Sequence, residues 1–141
     1  MRRLPDWEAR LAAYLEPLRT TPFAWGQHDC VTFSAGAVEA MTGERVLPAA
    51  GRYRTAIGAA RAVKRIGGGG LAAAVDTVLA SVPPALAHRG DILLIDGSLG
   101  LAFDRFAIMV GEEGSTEGLI RRPRELATHA WRVPFAETPH G

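Results

Sequence analysis

Cys30 is the one cysteine in this chain of 141 residues, and it stands directly behind Trp25-Gly26-Gln27-His28-Asp29. Asp29 has the chemistry of a helix N-cap, because its carboxylate can accept backbone N–H groups of the next turn. Cys30 is therefore predicted at the first turn of a helix. Unpaired N–H groups and the helix dipole favour negative charge there, and the thiolate is the nucleophilic form of cysteine. The neighbouring Asp29 charge opposes that effect. The competing reading is a small, buried, chemically inert side chain. A nucleophilic cysteine also needs a base, and the chain has four histidines. His28 shares the cysteine's loop and His129 adjoins the last predicted strand, so these two are the candidate bases. His88 reads as a loop or cap residue and His140 as part of the terminal tail. Trp25 and Trp131 are the candidate binding residues if they line the same cleft as Cys30, and packing in the core is the alternative.

Those side chains must be positioned by elements. Leu4, Trp7, Leu11, Tyr14, Leu15 and Leu18 recur at helical spacing, and Pro17 is predicted to end that helix near Leu15. Residues 20–26 read as a loop. A second helix is predicted over Cys30 to Met41, with Val31, Phe33, Ala37, Val38 and Met41 buried and Gly43 stopping it. Residues 44–53 read as loop. A third helix is predicted over 54–65, with Ile57, Ala60 and Val63 inward, and a fourth over 71–80. The glycine run at 67–70 follows no strand and precedes no Lys-Ser/Thr pair, so it is no phosphate cradle. Five strands are then predicted, at 91–95, 99–103, 106–110, 119–122 and 130–133, with Asp96-Gly97 as a hairpin turn. Helices first and antiparallel strands afterwards make an α+β fold.

Composition bounds the rest. Hydrophobic residues are 48% and charged residues 22%, which excludes wholesale disorder. The length suits one domain, with a core over about 5–134. A formal net charge of +1 is too balanced for a nucleic-acid protein, and the basic spots Arg2, Arg3, Arg121, Arg122 and Arg124 read as solvated surface. A single cysteine excludes a disulfide within the chain and any zinc site with two cysteines. No metal or cofactor is expected. No apolar run reaches membrane-spanning length and the N-terminus lacks a signal-peptide core, so neither membrane insertion nor a signal peptide is expected.

Pro22-Phe23-x-Trp25-Gly26-x-x-Asp29-Cys30, then Tyr53, the glycines at 67–70, Gly90-Asp91, Gly118-Leu119 and Ala130-Trp131-Arg132-Val133 form an ordered set. It resembles the NlpC-like cell-wall cysteine peptidases, in a branch found in phage, prophage and gene-transfer-agent-like tail clusters. The resemblance implies a compact papain-like fold, with N-terminal helices packed on a C-terminal sheet. It also implies a Cys nucleophile, a His base opening a central strand in a His-x-Gly-Ile stretch, a third polar group, and a Tyr hydroxyl near the cysteine loop. Cys30 takes the nucleophile's place. Arg105, in Arg105-Phe106-Ala107-Ile108, takes the base's place, and an arginine cannot act as a base. Phe23 takes the tyrosine's place and Val31 that of a serine. The chain contains no Asn to serve as third group.

Three readings follow. The first is a degenerate papain-like domain with a structural or adaptor role in a phage-type tail tip, docking on tail or baseplate proteins. Phe23, Trp25, Asp29, Arg105 and Trp131 are its candidate contact residues. Its expected course is the bacterial cytoplasm, then a virion or tail-like particle. The second is an active endopeptidase or amidase of peptidoglycan peptides, with Cys30 as nucleophile and His28 or His129 as a non-standard base. The third is an unrelated binding module whose cysteine is core.

Overall fold

The computed structural model describes residues 1–46 and 53–136. Most of the loop expected over 44–53 lies outside the described residues, as does His140.

The first helix, α1 (Trp7–Leu18), continues through Pro17 instead of ending before it. A proline in the last turn forfeits one ladder bond where the helix frays anyway. Its carbonyl is taken by the Thr21 hydroxyl at 2.8 Å. Helix α2 (Cys30–Thr42) buries the five residues expected of it and ends at Gly43. Tyr14 of α1 stacks on Phe33 of α2 and donates to the Phe33 carbonyl at 2.8 Å.

Helix α3 (Ala56–Gly67) is capped by the Thr55 hydroxyl and buries Ala59, Ala62 and Val63. Ile57, expected inward, is 67% exposed. The inward face is the one whose small residues allow close approach. Ala59 and Ala62 pack with Tyr53 and Trp25. Helix α4 (Leu71–Asp76) is shorter than expected. A strand not expected from the sequence follows, β1 (Ala80–Val82), of which only Ala80 lay within the expected helix; it pairs with β6, the strand His129–Arg132. So short a segment carries no period of its own, and pairing decides its state.

The five expected strands are present as β2 (Ile92–Ile95), β3 (Ser98–Ala102), β4 (Phe106–Val110), β5 (Leu119–Pro123) and β6 (His129–Arg132). With β1 they make a six-stranded antiparallel sheet in the order β1-β6-β2-β3-β4-β5. Strands β2 to β5 form a meander, and β6 returns to sit between β1 and β2. The architecture is α+β, with helices packed on an antiparallel sheet. Ile92, Leu94, Leu99, Leu101 and Trp131 join α2 in one core. Leu93, Ile95, Ala102, Ala107, Met109 and Ala130 form a second core, as period-2 alternation requires. Two short 3-10 turns, Pro84–Leu86 and Arg124–Leu126, adjoin the strands.

A buried ionic cluster closes the fold. Asp91 is fully buried and accepts from Arg3 at 2.8 Å, from Arg132 at 2.8 Å and from the Val133 N–H at 2.9 Å. Arg3, read from sequence as surface, is 3% exposed. It also donates to the Val133 and Arg89 carbonyls, and its guanidinium lies over the Trp7 and Phe135 rings. Arg124 departs from the surface reading in the same way, donating to the Phe103 and Ala87 carbonyls. Arg122 pairs with Asp96 at 2.7 Å, in keeping with that reading. Backbone carbonyls left without ladder partners attract guanidinium groups because each offers several donors in a fixed fork.

Candidate functional site

The loop before α2 is a tight reversal. The Ala24 and His28 backbones bond to each other at 3.1 and 2.8 Å, and Gly26 between them has a φ of 79°. That left-handed conformation suits glycine and lets the chain turn straight into the helix. Asp29 caps the helix as expected. Its carboxylate accepts from the Val31 N–H at 3.0 Å, the Thr32 N–H at 2.9 Å and the Gly26 N–H at 2.8 Å. Thr32 completes a capping box by accepting from the Asp29 N–H at 3.0 Å. The Tyr53 hydroxyl donates to the same carboxylate at 2.9 Å. Burial, together with this hydrogen bond and the Asp29 charge, holds the Tyr53 phenol well above its ordinary range.

Cys30 thus stands where the sequence places it, at the first position of α2, but its surroundings are not those of an activated thiol. The Val31 and Thr32 N–H groups of the helix start are already taken by Asp29. Burial pushes the Cys30 thiol above its ordinary range. A hydrogen bond with the Leu99 backbone works in the opposite direction, and the Asp29 charge raises the thiol further. The expectation of a helix-start thiolate is corrected: desolvation disfavours the charged form and the cap removes the donors.

The candidate bases fare differently. His28 is buried, with Nε2 2.8 Å from the Gly118 carbonyl. A carbonyl can only accept, so Nε2 carries the proton and Nδ1 is left as the ring's acceptor nitrogen. The ring meets Phe33 edge-on. His129 is exposed at the start of β6, stacked on Trp131, with Nδ1 2.9 Å from the Thr128 hydroxyl. The register pairs His129 with Leu94 and Leu94 with Leu99. His129, Leu94 and Leu99 therefore form one row on the helix-facing side, with Cys30 beside its far end. Two strand spacings, roughly 10 Å, separate His129 from Leu99.

Arg105 is not beside Cys30. It is exposed in the turn joining β3 to β4, whereas Leu99, the strand residue that meets the thiol, lies at the opposite end of β3. Strand β3, beside the cysteine, opens with Ser98, and Arg105 directly precedes β4. Neither residue is a base.

Of the expected contact residues, Phe23 and Trp25 are half-buried and meet edge-on with centroids 4.7 Å apart. The Trp25 indole donates to Glu113. Trp131 is fully buried and donates to Asp76 at 2.7 Å, because β6 is an interior strand whose helix-facing side is core. Asp29 is buried and engaged with the backbone rather than open to a ligand. Gly118 is a contributor that the chemistry of single residues did not mark. Any side chain there would strike the Leu18 carbonyl, and its N–H and C=O bind Arg19 and His28. Tyr53 is another, 24 positions beyond Asp29 and without a local signal of its role. Thr32 was legible as the third residue after an N-cap.

Among the described residues no group of three or more His, Cys, Asp or Glu side chains is placed to hold a metal ion. No helix among them is long and apolar enough to cross a membrane. Among curated proteins none matches the chain. A family model described as a domain of unknown function, DUF6950, matches residues 2–133, a span that takes in the Cys30 loop, all four described helices and the sheet. The chain therefore belongs to the DUF6950 family.

Proposed function

We propose that this chain is a non-catalytic papain-like domain serving as an adaptor in the tail tip of a phage-type particle. Its partners in that reading are tail or baseplate proteins. The observation that carries the loss of catalysis is the state of Cys30: a half-buried thiol raised above its ordinary range by desolvation, beside two helix-start donors used by Asp29, with no hydrogen bond to a histidine among the described residues. Attack on a carbonyl requires a thiolate or an adjacent base, and these surroundings favour neither. The order of helices and sheet is compatible with the papain-like class, and the ordered set of residues from Pro22 to Val133 supports the tail setting. The test has two arms. Purified protein incubated with peptidoglycan is expected to release no more peptide or amine than Cys30→Ser. Particles carrying Cys30→Ser are expected to assemble and infect normally, while deletion of the chain gives defective tails. Release of peptide that depends on Cys30 sinks the proposal.

One observation favours a second reading, a cell-wall cysteine hydrolase. His129 faces the same side of the sheet as Leu99, in the same row. Catalysis by that pair requires the imidazole and the thiol to close the intervening gap. His129→Ala must then abolish the activity as fully as Cys30→Ser.

A further inference from the structure

Strand β5 is an outer strand of the sheet, and among the described residues it pairs with β4 alone. The ladder shows which of its backbone groups are free. The Phe103 N–H donates to the Phe106 carbonyl, and the Gly111 N–H to the Gly118 carbonyl. Bonded pairs alternate along an antiparallel ladder. Gly118, Ile120 and Arg122 therefore turn their backbone groups toward β4, and Leu119, Arg121 and Pro123 turn theirs outward. Among the described residues no hydrogen bond takes the outward groups of Leu119 and Arg121. Pro123 has no N–H to offer, so a proline is tolerated at this edge.

The side chains of Leu119 and Arg121 lie on the helix-facing side, opposite Val110 and Ile108. A groove of about 430 Å³ runs there between β5 and the last turns of α1. Leu15, Ile108 and Leu119 give it an apolar floor, and Arg19 and Arg121 give it positive charge. The Arg121 guanidinium rests over the Phe106 ring at 4.5 Å, and no carboxylate among the described residues pairs with it. Arg19 is loosely matched, 3.5 Å from Glu16 with both side chains exposed.

Charged residues and proline on an outer strand guard it against pairing. This guard is selective. Two copies joined antiparallel through β5 and centred on Arg121 would set that arginine against itself, and like charges directly opposite are destabilising. A strand carrying a carboxylate at that point is favoured instead. We propose that β5 receives an extended acidic segment of a partner protein as a seventh strand, with a Glu or Asp side chain opposite Arg121 and an apolar side chain opposite Leu119. Main-chain bonds to the edge supply affinity, and the groove selects the side chains. The assignment does not rest on the adaptor reading, since strand addition requires nothing of Cys30.

The test is amide-detected NMR on the full chain, titrated to millimolar concentration with the peptide acetyl-Val-Thr-Glu-Thr-Val-amide and with its counterpart bearing Lys in place of Glu. The expected result is a saturable shift at the Leu119 and Arg121 amides, which also gain protection from hydrogen exchange. The Glu peptide is expected to bind about fivefold more tightly than the Lys peptide. Arg121→Gln is expected to remove that preference and Arg121→Glu to reverse it, with the spectra of both variants reporting that the fold is retained. Absence of saturable shifts with the Glu peptide overturns the proposal, as does equal affinity of the unaltered protein for the two peptides. A preference that survives in both variants overturns it too. Shifts at β5 that grow with protein concentration in the absence of peptide would give the edge to a second copy instead.

Discussion

Two side chains on α2 have consequences that solution measurements read directly. The Cys30 thiol is held neutral mainly by burial. Its alkylation by iodoacetamide, followed by mass spectrometry, is expected to be slow at neutral pH. The rate should rise only above the pH at which a free cysteine reacts. A plateau already reached near neutrality would show an activated thiol instead. The sign for stability follows from the same shift. The fold prefers the protonated thiol, so this contribution is present at pH below the ordinary thiol range and is lost as pH rises through the raised value. Ser34 acts in the other direction, since its hydroxyl is buried with no hydrogen-bond partner among the described residues. Ser34→Ala is expected to stabilise the protein by about 1 kcal/mol, the relief of an unmet hydrogen bond less a small packing loss. Urea unfolding of the two proteins measures it.

At the scale of elements, one carboxylate at the start of α2 serves the helix, the loop and Tyr53 together. Asp29→Ala is expected to cost about 2–4 kcal/mol, a lost cap plus a stranded buried phenol. Asp29→Ser separates charge from capping. It retains a cap oxygen and removes the negative neighbour, so Cys30 alkylation should begin at lower pH than in the unaltered protein. An unshifted alkylation profile would mean that burial alone sets the thiol. This cap was readable from Asp29 and Thr32 as types at a spacing. The inward face of α3 and the strand β1 were not, because periodicity alone does not say which of two apolar faces meets the sheet. Nor does it show that Ala80–Val82 has a free neighbour in β6.

Across the whole molecule, the cluster of Asp91 with Arg3 and Arg132 ties the N-terminal segment to the beginning of β2 and the end of β6. The Arg3 and Asp91 side chains are 1% and 0% exposed, so removing Asp91 strands a buried guanidinium, and removing Arg3 leaves the buried carboxylate with Arg132 as its remaining ion-pair partner among the described residues. Arg3→Ala and Asp91→Ala are each expected to cost about 3–5 kcal/mol in denaturant unfolding. The double variant should cost clearly less than their sum, because each single change already breaks the same pair. Additive losses would place the stabilisation elsewhere, in the stacking of Arg3 on Trp7 and Phe135. Arg3 looked like a solvated terminal charge in the sequence. Only closure of the sheet brings a carboxylate from position 91 and two aromatic rings around it.

What the sequence determined by itself was local: a capped helix beginning at Cys30, an apolar face on α2, five alternating strands and a hairpin at Asp96-Gly97. These rest on spacing and on side chains acting within a few residues, so the order of residues suffices. The tertiary structure decided everything that depends on distant partners. It buried Trp131 and Arg3, tethered His28 to the Gly118 carbonyl, put Arg105 at the end of β3 away from Leu99, and set His129 two strands from Leu99. The reactivity of a thiol is set by its desolvation and by the charges around it. Those are fixed by strand order and packing rather than by the neighbours of Cys30 in the chain.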